Sequence, residues 1–156
     1  MVASAPQSEQ VSTIMSTNIV TVTAAEKVSV ALRTMVRNKI GSVIAVEKGK
    51  PVGILTERDI STRIARGQNL RSMLVKNAMS KPLVTVAPSV TVLEAVEQMV
   101  RKDIRRLPVM ENDKLVGMVT ERDIFHWLIK VAYEPSMPED LRKLLETRVQ
   151  AHALAH

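Results

Sequence analysis

The sequence predicts an α+β (α/β) fold of two similar halves, because the chain repeats itself. A shift of 64 positions lays residues 11–60 over residues 75–124 without a gap, and 21 of the 50 aligned pairs are identical. Each copy has the pattern strand, helix, strand, strand, helix in about 50 residues, too few to bury a good core alone. The copies are therefore expected to pack as one pseudo-twofold module, because an open solenoid usually needs about three repeats or more.

The first strand and helix of each copy follow from side-chain spacing. Short β-branched runs at residues 19–22 and 83–86 predict strands. The following helices carry apolar residues at positions i, i+3, i+4, i+7 and i+8, namely Val28, Ala31, Leu32, Met35 and Val36, then Val92, Ala95, Val96, Met99 and Val100. Thr91 and Glu94 predict a capping box at the second of these helices, whereas Lys27 stands at the first and predicts a weaker start.

A hairpin and a second helix complete each copy. Strands are predicted at residues 42–46 and 52–55, then at 107–110 and 115–119, each pair joined by a short turn. Both hairpins lead into the sequence Thr-Glu-Arg-Asp-Ile, at residues 56–60 and 120–124, which predicts a helix start. In the first copy this helix is expected to end near Gly67, a suitable C′ residue.

Four segments are predicted along the chain. Residues 1–10 lack an apolar run and are expected to form a flexible tail, followed by the copies at residues 11–68 and 69–132. Residues 133–156 begin with a proline break and then carry an apolar stripe, which predicts a helical extension. This extension has no counterpart in the first copy, and packing on its own module is the expected default.

Composition excludes several classes of protein. The 156 residues are 46% apolar but only 2% aromatic, so the core must be aliphatic. There is no cysteine, which excludes disulfides, thiolate zinc sites and a cysteine nucleophile. No apolar run reaches transmembrane length and the N-terminus does not resemble a secretion signal, so a cytoplasmic protein without membrane contact is expected. The net charge of +6 favours anionic partners.

The repeated motifs resemble those of a pair of cystathionine β-synthase (CBS) domains, an arrangement called a Bateman module. The resemblance covers about residues 11–132 and is carried by residues 19–22, 53–60, 104–109 and 117–124. It implies two clefts related by pseudo-twofold symmetry that hold AMP, ADP or ATP, or in some members S-adenosylmethionine. It also implies a regulatory module rather than an enzyme, a homodimer, and a separate target protein that the sequence does not identify.

The two Thr-x-x-Asp pairs have two readings, which do not exclude each other. From spacing alone, Thr56 with Asp59 and Thr120 with Asp123 are capping boxes. A helix N-terminus also favours anions, through its N–H groups and its dipole. The resemblance implies that each aspartate binds the ribose hydroxyls and that each threonine lies by the phosphate.

Arginines and apolar residues extend the candidate site. Guanidinium groups suit phosphate, although solvated arginines are the plain alternative; the candidates are Arg58, Arg105, Arg106 and Arg122. The first copy has Gly41 and Ser42 where the second has the adjacent arginines, so the clefts are expected to differ. By resemblance, one cleft would join Met15, Val20 and Ile40 to Met118, Thr120 and Asp123; the other would join Met79, Val84 and Ile104 to Ile54, Thr56 and Asp59. Some of these apolar residues are expected to be ordinary core.

Catalysis and metal binding are not expected. No carboxylate pair, nucleophile triad or glycine-rich phosphate loop has a recognisable spacing, and His152 and His156 are interpreted as solvated residues rather than ligands. No resident cofactor is expected.

Two other function classes stay open from the sequence. Residues 58–81 hold six basic side chains and one acid, which allows nucleic-acid binding, but this stretch has no aromatic residue for base stacking. The module is alternatively an interaction or oligomerisation protein with empty clefts.

Overall fold

The computed structural model describes residues 8–132, together with residues 139–140, 142–143 and 147. The described helices are α1 (Val28–Asn38), α2 (Glu57–Ala65), α3 (Val75–Ala78), α4 (Val92–Lys102) and α5 (Glu121–Ala132), with a 3-10 helix at Val11–Thr13. The strands are β1 (Thr21–Thr23), β2 (Ser42–Glu47), β3 (Lys50–Thr56), β4 (Arg106–Glu111) and β5 (Lys114–Thr120). This is the mixed α and β architecture that the sequence predicts, with a three-stranded and a two-stranded sheet.

The described chain divides into two compact units that interleave along the sequence. Unit 1 contains residues 8–15, 87–107 and 119–132, and unit 2 contains Ser16–Val86 and Pro108–Met118. The units are defined by packing, so the repeat boundary at residues 68 and 69 and the pseudo-twofold arrangement stay predictions from the sequence.

Unit 2 contains the three-stranded sheet. β1 runs parallel to β2, and β2 pairs antiparallel with β3 in a register that places Val43 opposite Leu55. Both of these side chains are fully or almost fully buried, as are Val28 and Ala31 on the inner face of α1. Val28, Ala31 and Met35 of α1 are therefore buried as periodicity predicts, whereas Val36, on the same predicted stripe, is 77% exposed.

Unit 1 is organised around α4 and α5. Val92, Ala95 and Met99 on α4 are buried, and so are Ile124 and Trp127 on α5. The capping box of α4 forms as predicted, because Thr91 Oγ1 accepts from Glu94 N while Glu94 Oε2 accepts from Thr91 N. Lys27 supplies no side-chain cap to α1, which confirms the weaker start of that helix.

Both predicted hairpins are present. Lys48 and Gly49 have φ values of 49° and 76° between β2 and β3, and Asn112 and Asp113 have 49° and 61° between β4 and β5. Two consecutive residues with positive φ are typical of the two-residue turn whose twist matches that of the strands. Gly67 has φ 71° just after α2, as expected of a C′ glycine.

One predicted strand is wrong and another is shifted. Residues 83–86 form no strand; only Val86 is paired, through Val86 N to Pro108 O and Met110 N to Val86 O. Pro82 and Pro88 flank this run and lack the N–H that a longer ladder requires. The first strand of the chain covers Thr21–Thr23 instead of residues 19–22.

The two ends of the chain carry the remaining predictions. Glu9 and Gln10, assigned to the predicted tail, are bonded into unit 1, since Glu9 O accepts from Val92 N at 2.8 Å and Gln10 bridges Thr91. The predicted extension at residues 133–156 lies largely outside the described residues. Those described there are helical, and Thr147 Oγ1 donates to Lys143 O at 2.8 Å.

Candidate functional site

Two helix starts carry the Thr-x-x-Asp pairs, and both are capping boxes. Asp59 Oδ2 accepts from Thr56 N at 2.8 Å and from Thr56 Oγ1 at 2.7 Å, and Asp59 N donates back to Thr56 Oγ1 at 3.2 Å. Thr120 and Asp123 repeat the same bonds at 2.8, 2.7 and 3.3 Å. In each carboxylate, Oδ2 is therefore engaged by the helix start, and Oδ1 is the oxygen that remains for a further partner.

The backbone amides at these helix starts are also partly used. Glu57 N donates to Gly41 O at 3.1 Å, and Glu121 N donates to Arg105 O at 2.9 Å. The amides of both aspartates donate to the threonine hydroxyls, as described above. The first and third amides of each helix are therefore satisfied within the protein, so an anion bound at either helix start would depend mainly on arginine side chains.

The candidate arginines lie at the surface. Arg58 and Arg122 are exposed in the first turns of α2 and α5, and Arg106 is half-buried at the start of β4. Arg105 Nε lies 3.9 Å from Glu121 Oε2, and both side chains are more than half exposed. An ion pair this long and this exposed is weak and is readily exchanged for another anion.

The apolar candidates share one property: each is half-buried, and none belongs to the fully buried core. They are Met15, Val20, Ile40, Ile54, Met79, Val84, Ile104 and Met118. Val20, Ile40 and Met79 pack on the edge of the unit 2 core. These three therefore contribute to the core, as the sequence alternative expected of some apolar candidates. Partial exposure at all eight positions leaves apolar surface available for a flat ring.

Within unit 2 the structure brings Ser80 to Asp59. Ile54 pairs with Ser80 through two backbone bonds, from Ile54 N to Ser80 O at 3.1 Å and from Ser80 N to Ile54 O at 2.8 Å. Ser80 Oγ then donates to Asp59 Oδ1 at 2.7 Å. A Cβ on Gly53 would lie 2.5 Å from Met79 Sδ, so glycine permits this close approach. Sequence reasoning missed Ser80, although its identity with Ser16 across the repeat marks the position.

Within unit 1 the structure places a pocket beside Asp123. Its volume is about 260 Å³, and its lining residues are Glu9, Thr13, Ile14, Asp123, His126, Trp127 and Lys130. Glu9 is held by bonds from Trp127 Nε1 and Thr13 Oγ1. A second cavity of about 250 Å³ lies in unit 2, and its lining residues are Leu32, Met35, Val36, Lys39, Ile40, Gly41 and Glu57.

Two features are absent from the described part of the chain. No group of three or more histidine and carboxylate side chains there is arranged to hold a metal ion. Among the described helices, none combines the length and the apolar character that crossing a bilayer would require.

The two copies, each with a capped Thr-x-x-Asp helix start, match a known domain family. The CBS domain model matches residues 11–66 and again residues 75–130. The chain therefore belongs to the CBS domain family and contains two tandem CBS domains, as the resemblance implied.

Individual relatives agree with this family. An uncharacterised protein of Methanopyrus kandleri is 40% identical over 110 residues, which cover 69% of this chain but only 55% of the relative. The CBS domain pair of protein MJ0100, solved with 5′-methylthioadenosine and S-adenosyl-L-methionine, is 24% identical with a TM-score of 0.71, covering 78% of this chain and 96% of that one. A hexameric CBS-CP12 protein from bloom-forming cyanobacteria is 29% identical with a TM-score of 0.72, covering 94% and 83%.

Proposed function

We propose that this chain is a regulatory module that binds an adenosine-containing ligand through its two Thr-x-x-Asp helix starts. The observation that carries the proposal is the repeated carboxylate geometry. In each copy the threonine holds Oδ2 of a half-buried aspartate, so a ligand would bond to Oδ1, directly at Asp123 and in place of Ser80 at Asp59. A ribose presents two adjacent hydroxyl donors, and hydrogen bonds to an ionised acceptor are about twice as strong as neutral ones.

Several features support adenosine over other ribosides. The eight apolar candidates are half-buried and none is aromatic, which suits an adenine ring held by packing. The solved relative MJ0100 carries 5′-methylthioadenosine and S-adenosyl-L-methionine, both of which contain adenosine. AMP, ADP and ATP add an anionic tail, for which Arg58, Arg105, Arg106 and Arg122 are the candidate partners. No catalytic role is proposed for any of these residues.

One basic side chain of residues 58–81 is hydrogen-bonded within the protein, which weakens the nucleic-acid alternative. Arg63 Nε donates to Ala78 O at 3.2 Å, and Arg63 Nη1 donates to Gln68 Oε1 at 3.0 Å. This arginine therefore has a structural role within the basic stretch.

The homodimer stays a prediction, supported by the exposure of Val36 on α1 and Val100 on α4, which stand at equivalent positions of the repeat.

Isothermal titration calorimetry with matched ligands tests the proposal. We expect AMP, ATP, 5′-methylthioadenosine or S-adenosylmethionine to bind. The 2′,3′-dideoxy form of the best ligand is expected to bind roughly tenfold or more weakly, because it lacks the two ribose hydroxyls that would donate to the carboxylates. Adenine alone and ribose 5-phosphate alone serve as controls for the two halves of the ligand. Equal binding of the ribo and dideoxy forms would contradict the assigned role of the aspartates.

A further inference from the structure

The carboxylates of Asp59 and Asp123 differ in one oxygen, although their capping bonds are the same. Asp59 Oδ1 accepts a hydrogen bond of 2.7 Å from Ser80 Oγ. Asp123 Oδ1 has no hydrogen-bond partner among residues 8–132, where its bonds run from Oδ2 and N to Thr120. In one copy the acceptor that a ribose needs is occupied by the protein, and in the other it is open.

Ser80 is fixed in this position by its backbone. The two bonds with Ile54 tie it to β3, the strand that leads into Thr56 and α2. Gly53 lets the segment approach closely, since a Cβ there would lie 2.8 Å from Ser80 O. The hydroxyl is therefore held close to the carboxylate by the strand and does not have to be ordered separately.

The corresponding serine of the first copy has a different local partner. Ser16 makes the equivalent backbone pair, with Met118, at 2.9 Å in both directions. Its hydroxyl, however, accepts a bond of 3.3 Å from Asn18 N, two residues further on. The residue that corresponds to Asn18 in the second copy is Pro82, which has no N–H to donate. Ser80 Oγ thus lacks the local donor that turns Ser16 back on its own segment.

We propose that Ser80 acts as an internal substitute for a ribose hydroxyl, so that Asp59 is the weaker and Asp123 the stronger of two ribose-binding carboxylates. A ligand at Asp59 must replace an existing charge-assisted hydrogen bond, whereas a ligand at Asp123 adds a new one. This inference rests on the proposed function and adds an order of occupancy to it. Pro82 sets that order by removing one backbone donor.

Calorimetry on an Asp123→Asn background isolates the weaker site. With AMP and 5′-methylthioadenosine as probes, Ser80→Ala is expected to raise the affinity dependent on Asp59 by roughly tenfold, since the competing donor is gone. Ser16→Ala is the matched control, because it deletes the same hydroxyl at the equivalent position without touching Asp59, and it is expected to leave the affinity unchanged. Pro82→Ala restores an N–H donor for Ser80 Oγ and is expected to raise affinity in the same direction.

The outcomes separate this inference from the proposed function. If the wild-type protein binds these ligands and Ser80→Ala lowers or preserves the affinity of the Asp59 site, the role given to Ser80 is wrong while the proposed function stands. Equal effects of Ser80→Ala and Ser16→Ala also overturn it. If neither the wild-type protein nor any variant binds an adenosine ligand, the proposed function fails and the inference fails with it. Circular dichroism of each variant checks that the exposed substitutions leave the fold intact.

Discussion

The N-termini of α2 and α5 carry the same residues but have different surroundings. Both helices begin with a threonine and an aspartate in a full set of capping bonds. Among the described residues 8–132, a further bond reaches only the aspartate of α2, from Ser80. The comparison teaches that a duplicated motif fixes the local helix start, whereas a neighbouring segment decides which acceptor is left for a ligand.

The largest expected effect comes from removing one carboxylate at a time. Asp123→Asn is expected to lower total affinity for an adenosine ligand by roughly ten- to a hundredfold, because an open charged acceptor is lost. Asp59→Asn is expected to change it severalfold at most. Calorimetric titration of both variants and of the double variant measures the difference. Equal losses from the two single substitutions would contradict an unequal pair of sites.

A smaller effect, on stability, is expected at the close approach beside Asp59. Gly53→Ala places a methyl group 2.5 Å from Met79 Sδ and 2.8 Å from Ser80 O, so the Ser80 segment must move. We expect a loss of about 1–3 kcal/mol in the free energy of unfolding, measured by urea titration.

Gly49 offers the control for that substitution. No atom lies within 4 Å of a Cβ built there, and its φ of 76° is one that asparagine tolerates. Gly49→Asn is therefore expected to cost much less than Gly53→Ala. A neutral Gly53→Ala variant would show that the segment carrying Ser80 is not held tightly.

The smallest effect is a pH dependence that distinguishes α4 from α1. The backbone N–H and the hydroxyl of Thr91 donate to Glu94 and hold the pKa of this exposed carboxyl below its ordinary value. Because the folded pKa is lowered, the contribution to stability is present above the ordinary pKa and is lost as the pH falls through the folded value. α1 has Lys27 and Val30 at these positions and gains nothing from this source.

Glu94→Gln tests this contribution. The variant is expected to be slightly less stable than the wild type at neutral pH, where the contribution is present, and to approach the wild type as the pH falls, so that its unfolding depends less on acid. Urea titrations at a series of acidic pH values measure the change. An unchanged acid profile would mean that the capping bonds of Thr91 persist without the charge.

Local rules predicted most of the fold. The apolar spacing located α1 and α4 because the same periodicity that forms the helix also buries Val28 and Val92. Thr91 and Glu94 were recognisable as a cap because both partners lie within one helical turn. The strand predicted at residues 83–86 is absent because a strand also needs backbone N–H donors, and the flanking prolines have none. The β-branched composition on which the prediction rested carries no information about these donors.

The candidate site was harder to predict because its decisive contact is not local. Thr56 and Asp59 are three residues apart and read directly from the sequence, but Ser80 reaches Asp59 across 21 positions. Only the pairing of Ser80 with Ile54 on β3 brings that hydroxyl into place. The contrast between Asn18 and Pro82 is visible in the sequence, yet its meaning depends on knowing where the two serine hydroxyls lie.

The interleaving of the two units has a consequence for the order in which the chain folds during synthesis. Unit 2 draws its longest stretch from one continuous segment, Ser16–Val86, so its sheet can assemble early on the ribosome. Unit 1 must wait, because Glu9 bonds to Trp127, 118 positions later. Closing so long a loop late slows folding and leaves Glu9 without this partner until residue 127 has been synthesised.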